Sequence, residues 1–245
     1  MNREFAINTT SYPEGVISLQ IYNPKGNSLT VLGVQNLIKL LKEIEINSTI
    51  TSCTLSSQSD TVFCAGANFN EIADAIKNNR KNNRHPEIFS ALAELIETII
   101  TFQKPIVSYI NGPAVGGGVG LIAATDFCIA GLQASIKLSE LSIGIAPMIV
   151  SSIIEKKIGG GALQDLALST EVKNLEWMQK NNLVNKSGTL EDAIKEAARL
   201  GAYSNGAFQN FKKQFWGHLP GTLQEKAKIA AALCLTEPAK SFFNK

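Results

Sequence analysis

The feature that most constrains this chain is a run of three glycines, Gly116–Gly118, between a strand pattern and a helix pattern. The preceding residues, 105–110, are apolar and rich in β-branched side chains, which is typical of a buried strand. Residues 119–124 are small and apolar enough to form a buried helix. Glycines at the start of a helix leave backbone N–H groups uncovered, and the helix dipole adds partial positive charge there. The run therefore predicts a site for a phosphate, a carboxylate or an oxygen that becomes negative during a reaction.

Three interpretations of this run compete: a turn needed only for close packing, a dinucleotide-binding fingerprint, and an oxyanion hole. Gly118, Gly120 and Ala123 fit the dinucleotide pattern, and Glu140 lies near the expected distance downstream. In that pattern, however, the first glycine follows the strand directly, whereas residues 111–115 intervene here. This spacing argues against dinucleotide binding.

A second stretch combines a strand, a turn of small residues and a helix start. It spans residues 62–72 with the sequence VFCAGANFNEI, and Asn68 or Asn70 is placed to cap the helix. Two such turns could direct two backbone N–H groups at one oxygen, which favours the oxyanion hole.

Three stretches, in this order and spacing, resemble the crotonase superfamily of enoyl-CoA hydratases and isomerases. They are FCAGAN at 63–68, NGPAVGGG at 111–118 and LSELSIGIAP at 138–147, and the similarity covers nearly the whole chain. The resemblance implies an α/β fold in which a spiral of ββα turns forms an acyl-CoA-binding core over residues 1–190. It also implies a helical C-terminal region, 191–245, that builds a homotrimer, often paired into a hexamer.

Hydrophobic periodicity and turn signals predict elements that agree with this fold, with strands mainly before residue 140 and helices after it. Thr189, with Asp192 three residues on, predicts a capping box at the start of one helix. The predicted strands cover 4–10, 16–22, 50–56, 105–110, 127–130 and 134–138. The predicted helices cover 32–46, 69–79, 87–102, 119–124, 147–158, 161–168, 175–181, 190–203 and 208 to the end, with an interruption at 217–221.

Residues 77–86 are polar and basic without periodicity, which predicts a solvated loop. The alternative is a mobile lid in which Lys77, Arg80, Lys81 or Arg84 meets the phosphates of coenzyme A.

The resemblance also implies roles for individual residues. The backbone N–H groups of Ala67 and Gly117 would hold a thioester carbonyl oxygen and stabilise the enolate that forms from it. Glu140 would be the acid–base group, and Lys25 is a candidate contact for a phosphate. The other expected substrate-binding residues are Ala65, Gly66, Asn68 and Phe69 toward the adenine end, and Gly116, Gly120 and Ser139.

The acid–base chemistry remains open between two reactions. Hydratases of this family usually hold water between two glutamates, and one of these matches Glu140, whereas the other position is Gly120. One carboxylate suits a 3,2-enoyl-CoA isomerase, in which it moves a proton between C2 and C4. Hydratases for methylglutaconyl-CoA and related branched acyl groups also carry glycine there. Hydration or dehydration of an enoyl-CoA is the main prediction, isomerisation the alternative, and a non-catalytic acyl-CoA-binding protein a more remote one.

The neighbours of Glu140 predict how its carboxyl group titrates. Leu138, Leu141 and Ile143 are apolar, and apolar surroundings favour the protonated carboxyl group more than water does.

The composition argues against several other partners. The formal net charge of +2, without a basic stripe, argues against nucleic acid, and no apolar stretch is long enough to span a membrane. The four cysteines are scattered without a CxxC pair, and the apolar neighbours of Cys53, Cys128 and Cys234 predict buried free thiols and a cytoplasmic protein. His85 and His218 stand alone, so we expect surface positions and no metal site. No cofactor is expected beyond the coenzyme A of the substrate itself.

Overall fold

The computed structural model describes residues 5–59, 61–82, 86–203 and 205–243. Two short 3-10 helices cover Pro13–Gly15 and Glu140–Ile143. The strands are β1 (Ala6–Tyr12), β2 (Val16–Tyr22), β3 (Ser52–Ser57), β4 (Ile106–Ile110), β5 (Pro113–Val115), β6 (Phe127–Ala130), β7 (Ser135–Lys137), β8 (Lys173–Asn174) and β9 (Lys186–Ser187). The helices are α1 (Val31–Ile46), α2 (Phe69–Asn82), α3 (Glu87–Thr101), α4 (Gly117–Ala124), α5 (Met148–Ser169), α6 (Leu175–Lys180), α7 (Leu190–Gly201), α8 (Asn205–Trp216), α9 (Leu223–Leu233) and α10 (Glu237–Phe243).

A six-stranded sheet in the order β1-β2-β3-β4-β6-β9 forms the centre of the chain. Strands β1 and β2 pair antiparallel, and the remaining pairings in this sheet are parallel. Parallel neighbours need crossover connections, and α1, then α2 with α3, and then α4 lie in those connections. Because elements cover both faces, β3 is buried along its whole length.

The two faces of the sheet are covered by different parts of the chain. The larger apolar core lies on one face and includes the buried sides of α1, α3, α4 and α5. On the other face, Ala193, Ala197 and Leu200 of α7 pack against Val107 of β4 and Ile129 of β6. The helix that follows the predicted boundary at residue 190 therefore packs directly on the sheet. The division into a core and a C-terminal region stays a prediction.

The predicted α/β class and the helical C-terminal region are confirmed. The capping box is also confirmed, because the Thr189 side chain accepts from the Asp192 N–H and the Asp192 side chain accepts from the Thr189 N–H. The predicted burial of Cys53, Cys128 and Cys234 is confirmed, and Cys64 is buried as well. Loss of hydration raises the pKa of each of these four thiols to about 12, so they are uncharged at neutral pH.

One local prediction was wrong. Residues 77–82 continue helix α2 and do not form a loop, while residues 83–85, with Arg84 and His85, lie outside the described residues. The break between the helices predicted at 147–158 and 161–168 is confirmed, because α5 is kinked at Gly159, whose φ of 79° and ψ of 160° are not helical. Residues 113–115, for which no strand is predicted, form β5 by pairing with β7 in a second sheet of order β5-β7-β8.

Helix α9 contains the apolar segment that the sequence places against either the core or a neighbouring subunit. Its residues Ala227, Ala230 and Ala231 are buried, and the helix packs against α3 and α5 of the same chain. Burial against the core is therefore part of its role. Among the helices of the described ranges, none is both long enough and apolar enough to cross a membrane.

A buried ion pair fixes α8 to the edge of the sheet. The Lys212 ammonium lies 2.9 Å from Asp126 Oδ2, and the two side chains are only 4% and 12% exposed. The same Asp126 oxygen accepts a hydrogen bond of 2.8 Å from the Ile106 N–H at the start of β4. Removing one member would leave the other as a buried charge without its counterion.

We expect Lys212→Met to lower the free energy of unfolding by about 3 to 5 kcal/mol, the range for breaking a buried ion pair by removing one partner. Urea denaturation followed by circular dichroism measures this. Lys228→Met is the control, because Lys228 and its partner Glu225 are both 72% exposed, and little change is expected there. Equal losses in the two variants would contradict a structural role for the buried pair.

Candidate functional site

Two chain segments that are distant in sequence meet at the C-terminal end of the sheet. The Phe63 N–H donates to the Pro113 carbonyl at 2.9 Å, and the Val115 N–H donates to the Cys64 carbonyl at 2.9 Å. Ala67 also bridges to Leu29, because the Asn68 N–H donates to the Leu29 carbonyl at 2.9 Å. These backbone hydrogen bonds hold the FCAGAN segment beside β5 and the glycine run.

Glycine is required where the two segments touch. Gly66 has φ +84°, and a Cβ on it would lie 2.7 Å from the Val115 carbonyl oxygen and 3.2 Å from the Gly117 nitrogen. A Cβ on Gly118 would lie 2.5 Å from the Cys64 carbonyl oxygen. Such distances are shorter than real contacts of a Cβ atom, so any side chain would separate the segments. The glycine pattern therefore serves close packing, as one interpretation of the sequence holds.

This packing brings the backbone N–H groups of Ala67 and Gly117 to the same place. A Cβ built on Gly117 would lie 3.7 Å from the Ala67 nitrogen. Gly117 is the first residue of α4, so its N–H has no partner within the helix. Across the ranges that the structure describes, neither N–H donates a hydrogen bond to the protein. Two uncommitted donors at one helix N-terminus can stabilise a developing negative charge on oxygen.

Glu140 follows β7 at the start of a one-turn 3-10 helix that ends at Gly144 in the left-handed conformation. Its carboxylate lies over Gly116, where a Cβ would be 2.9 Å from Oε1. Oε2 is buried and has no hydrogen-bond partner among the described residues. Burial raises the pKa of Glu140 to about 7, against a smaller opposing effect of the Ser139 and Glu140 N–H groups. The predicted shift toward the protonated carboxyl group is confirmed.

A cavity that is partly open to solvent joins these groups. Glu140 is the one carboxylate among the described residues that line it, and most of its other walls are apolar side chains. Eight of the predicted site residues line it: Ala65, Gly66, Ala67, Phe69, Gly116, Gly117, Ser139 and Glu140. The further lining residues are Ile72, Phe89, Leu92, Val115, Ile143, Ile145, Ala146, Pro147, Met148, Ile149, Val150 and Ala230.

Two other predicted residues lie beside this cavity without lining it. The Asn68 side chain caps α2, because its Oδ1 accepts from the N–H groups of Asn70 and Glu71, and its Nδ2 donates to Ser28 Oγ. Lys25 is exposed in a neighbouring turn, where the Gly26 carbonyl accepts from the Ala65 N–H at 2.9 Å. Their predicted substrate contacts stay predictions.

Gly120, the third such residue, is buried one turn into α4 behind the cavity wall. A Cβ on it would lie 2.4 Å from Val150 Cγ1 and 3.2 Å from Ile96 Cδ1. The Val150 side chain therefore fills the space where a side chain on Gly120 would begin. A carboxylate at position 120 cannot be accommodated while Val150 keeps this place.

The apolar walls are the part of the site that the sequence did not identify. Leu92 of α3, Val150 of α5 and Ala230 of α9 come from three helices that are far apart in sequence. Each belongs to an apolar face with ordinary helical periodicity, so no local signal separates a cavity wall from the core.

The end of the chain supports the segment that carries Glu140. A Cβ on Gly144 would lie 2.8 Å from the Ala239 nitrogen in α10. The ring of Phe69, which lines the cavity, packs edge-on against Phe242 and Phe243, at 6.1 and 5.5 Å between centroids. Helix α10 therefore contacts the site from outside.

Within the described part of the chain, no group of three His, Cys, Asp or Glu side chains is placed to hold a metal ion. His218 is exposed, as predicted.

Comparison with known proteins gives one family. The family model for enoyl-CoA hydratase/isomerase matches residues 11–241. The bacillaene synthase dehydratase of Bacillus subtilis is 26% identical over 228 residues, which cover 92% of this chain and 84% of that protein. The 2,3-dehydroadipyl-CoA hydratase of Escherichia coli is 28% identical over 185 residues, covering 72% and 69%. The crystal structure of enoyl-CoA hydratase from Bacillus halodurans has a TM-score of 0.87 at 20% identity, covering 97% and 98%, which shows a shared fold.

The raised pKa of Glu140 predicts a pH-dependent stability. Its pKa is about 7 in the folded chain against a usual 4.5, so the folded state binds an extra proton between these values. Stability should therefore fall as pH rises from 5 to 8, relative to Glu140→Gln, which cannot ionise. The difference of 2.5 between the two values corresponds to about 3 kcal/mol, at about 1.4 kcal/mol per pH unit.

Urea denaturation of both proteins at pH 5 and pH 8 measures this difference. Glu43→Gln, which removes an exposed carboxylate, is the control for the general effect of losing one carboxylate. A Glu140→Gln effect that is identical at the two pH values would contradict the raised pKa.

Proposed function

Since the chain belongs to the enoyl-CoA hydratase/isomerase family, we propose that it is an acyl-CoA enzyme that hydrates an enoyl-CoA or dehydrates a 3-hydroxyacyl-CoA. The observation that carries the proposal is the position of the buried Glu140 carboxylate in one cavity with the uncommitted N–H groups of Ala67 and Gly117. A base beside two donors is what the chemistry at the α-carbon of a thioester requires.

The two N–H groups act on the thioester carbonyl. Loss of the α-proton makes an enolate, and its negative charge develops on the carbonyl oxygen. Ala67 and Gly117 would each donate a hydrogen bond to that oxygen, with the dipole of α4 adding to the effect. Loss of one such donor typically lowers the rate by two to three orders of magnitude.

Glu140 would move one proton. As a carboxylate it removes the α-proton of a 3-hydroxyacyl thioester, and the electron pair of the C–H bond forms the enolate. The resulting carboxylic acid then donates this proton to the 3-hydroxyl group, which leaves as water while the carbon–carbon double bond forms. Hydration is the reverse sequence. A pKa of about 7 suits both steps near neutral pH, because neither protonation state is strongly disfavoured.

The names of two relatives support hydration or dehydration as the reaction. The E. coli protein is named a hydratase and the B. subtilis protein a dehydratase, and both are similar to this chain over more than two thirds of its length. The presence of Glu140 in the cavity argues against a protein that only binds acyl-CoA.

One observation favours 3,2-enoyl-CoA isomerisation as a second candidate. Val150 occupies the space at Gly120, so a second carboxylate is missing from the described cavity walls. A single carboxylate can remove the C2 proton of a 3-enoyl thioester to form a dienolate and return the proton at C4, which leaves the conjugated 2-enoyl thioester, and no water is then needed.

The resemblance to the family also implies further contacts with the substrate, which we propose here. The backbone of residues 65–69 would hold the adenine end of coenzyme A, and exposed Lys25 would meet a phosphate. A homotrimer or hexamer is also proposed. In support, large apolar side chains are exposed on this chain, at Leu132, Leu168, Val172 and Phe211.

We expect Glu140→Gln to lower kcat/KM by about two to four orders of magnitude, the usual contribution of a general acid–base group. Binding of a saturated acyl-CoA should stay close to that of the wild type, because the amide keeps the shape of the carboxylate. Isothermal titration calorimetry and initial rates measure the two quantities. Wild-type kcat/KM should also rise through pH 7, because the carboxylate form begins either reaction. Undiminished turnover in Glu140→Gln would refute the assignment.

Ultraviolet absorbance of the conjugated enoyl thioester separates the two candidate reactions. Hydration of a 2-enoyl-CoA removes the absorbance, whereas isomerisation of a 3-enoyl-CoA creates it. We expect loss of absorbance with the 2-enoyl-CoA, at a rate that Glu140→Gln abolishes. Growth of absorbance with the 3-enoyl-CoA alone would instead establish the isomerase. No change with either substrate would reject both.

A further inference from the structure

We propose that Val150 is the residue that sets the shape of the acyl group this site accepts. The inference rests on the proposed placement of an acyl thioester in the cavity. It does not depend on which reaction follows.

The geometry comes from two glycines at the start of α4, the N-cap residue Gly116 and Gly120 within the helix. The Gly120 N–H donates to the Gly116 carbonyl at 3.3 Å, so the two residues lie one turn apart. A Cβ on Gly116 would meet the Glu140 carboxylate, and a Cβ on Gly120 would meet the Val150 side chain. The absence of side chains at these two positions leaves two places, one taken by the Glu140 carboxylate and the other by the aliphatic side chain of Val150.

Val150 lines the same cavity as Glu140 and Gly117, the first residue of α4. If the carbonyl oxygen lies at the N-terminus of α4 and the α-carbon at Glu140, C3 and its substituents extend into this cavity. Val150 is then one of the walls that they contact.

Val150 has the properties of a selective wall. It is 3% exposed, lines the cavity, and is held from behind by α4, where Gly120 leaves room for it. Protein interiors are close-packed, so the methyl groups of Val150 cannot shift freely to admit a larger substrate. One methylene group in such a pocket changes discrimination between substrates by about 10- to 200-fold.

The test compares binding of two saturated thioesters, butyryl-CoA and 3-methylbutyryl-CoA, by isothermal titration calorimetry. These differ by one methyl group at C3 and have no double bond to hydrate or isomerise. In Val150→Ala we expect the ratio of the two dissociation constants to shift by about 10-fold or more toward the branched thioester. In Val150→Leu the ratio should shift in the opposite direction, because the wall moves inward.

Val119→Ala is the matched control. Val119 lies on α4, is fully buried and does not line the cavity, so the same substitution there should leave the ratio unchanged. An unchanged ratio in both Val150 variants, or an equal shift in Val119→Ala, would overturn the inference.

This outcome is independent of turnover. If wild type converts neither enoyl-CoA but the ratio shifts as expected, the proposed reaction fails and the inference stands. If wild type is active and the ratio does not move, the inference alone fails. Absence of binding of either thioester to the wild type would overturn both.

Discussion

The site depends on one close approach of backbone to backbone. The FCAGAN segment and the glycine run come within contact distance only because Gly66 and Gly118 have no side chains. A methyl group at either position would separate the segments, and the N–H groups of Ala67 and Gly117 would no longer share one space. Everything else in the site, including the position of Glu140 over Gly116, is arranged around this contact. The lack of side chains at Gly66 and Gly118 is thus as important for this site as the backbone hydrogen bonds that join the two segments.

The lack of polar side chains around Glu140 also explains the electrostatics of its carboxyl group. Glu140 lies among apolar groups and against bare backbone, so one of its oxygens has no partner in the described part of the chain, and burial raises its pKa. A buried polar group without a partner is destabilising, and such groups persist where function needs them. The protein therefore carries a local loss of stability at the group that the proposed chemistry uses.

Much of this arrangement could be predicted from the sequence. The glycine run, the FCAGAN turn and Glu140 could be identified because each belongs to a local pattern. A local pattern reflects the backbone conformation that its own segment requires. The strand β5 could not be predicted from its own three residues, because its pairing with β7 is a tertiary interaction. The loop predicted over residues 77–82 was wrong. These residues have no apolar stripe of their own, but they continue helix α2, whose first turns have such a stripe. The proposed role of Val150 rests on the packing of α5 against α4, which cannot be predicted from either segment alone.

Helix α10 has a consequence for how the protein is made. Its backbone at Ala239 packs against Gly144, four residues from Glu140, and its phenylalanines pack edge-on against Phe69. The cavity thus receives its outer support from an element that a ribosome synthesises after every other helix described. A partly synthesised chain would have Glu140 and the two N–H groups but not this support, which is complete only after residues 237–243 emerge and fold back.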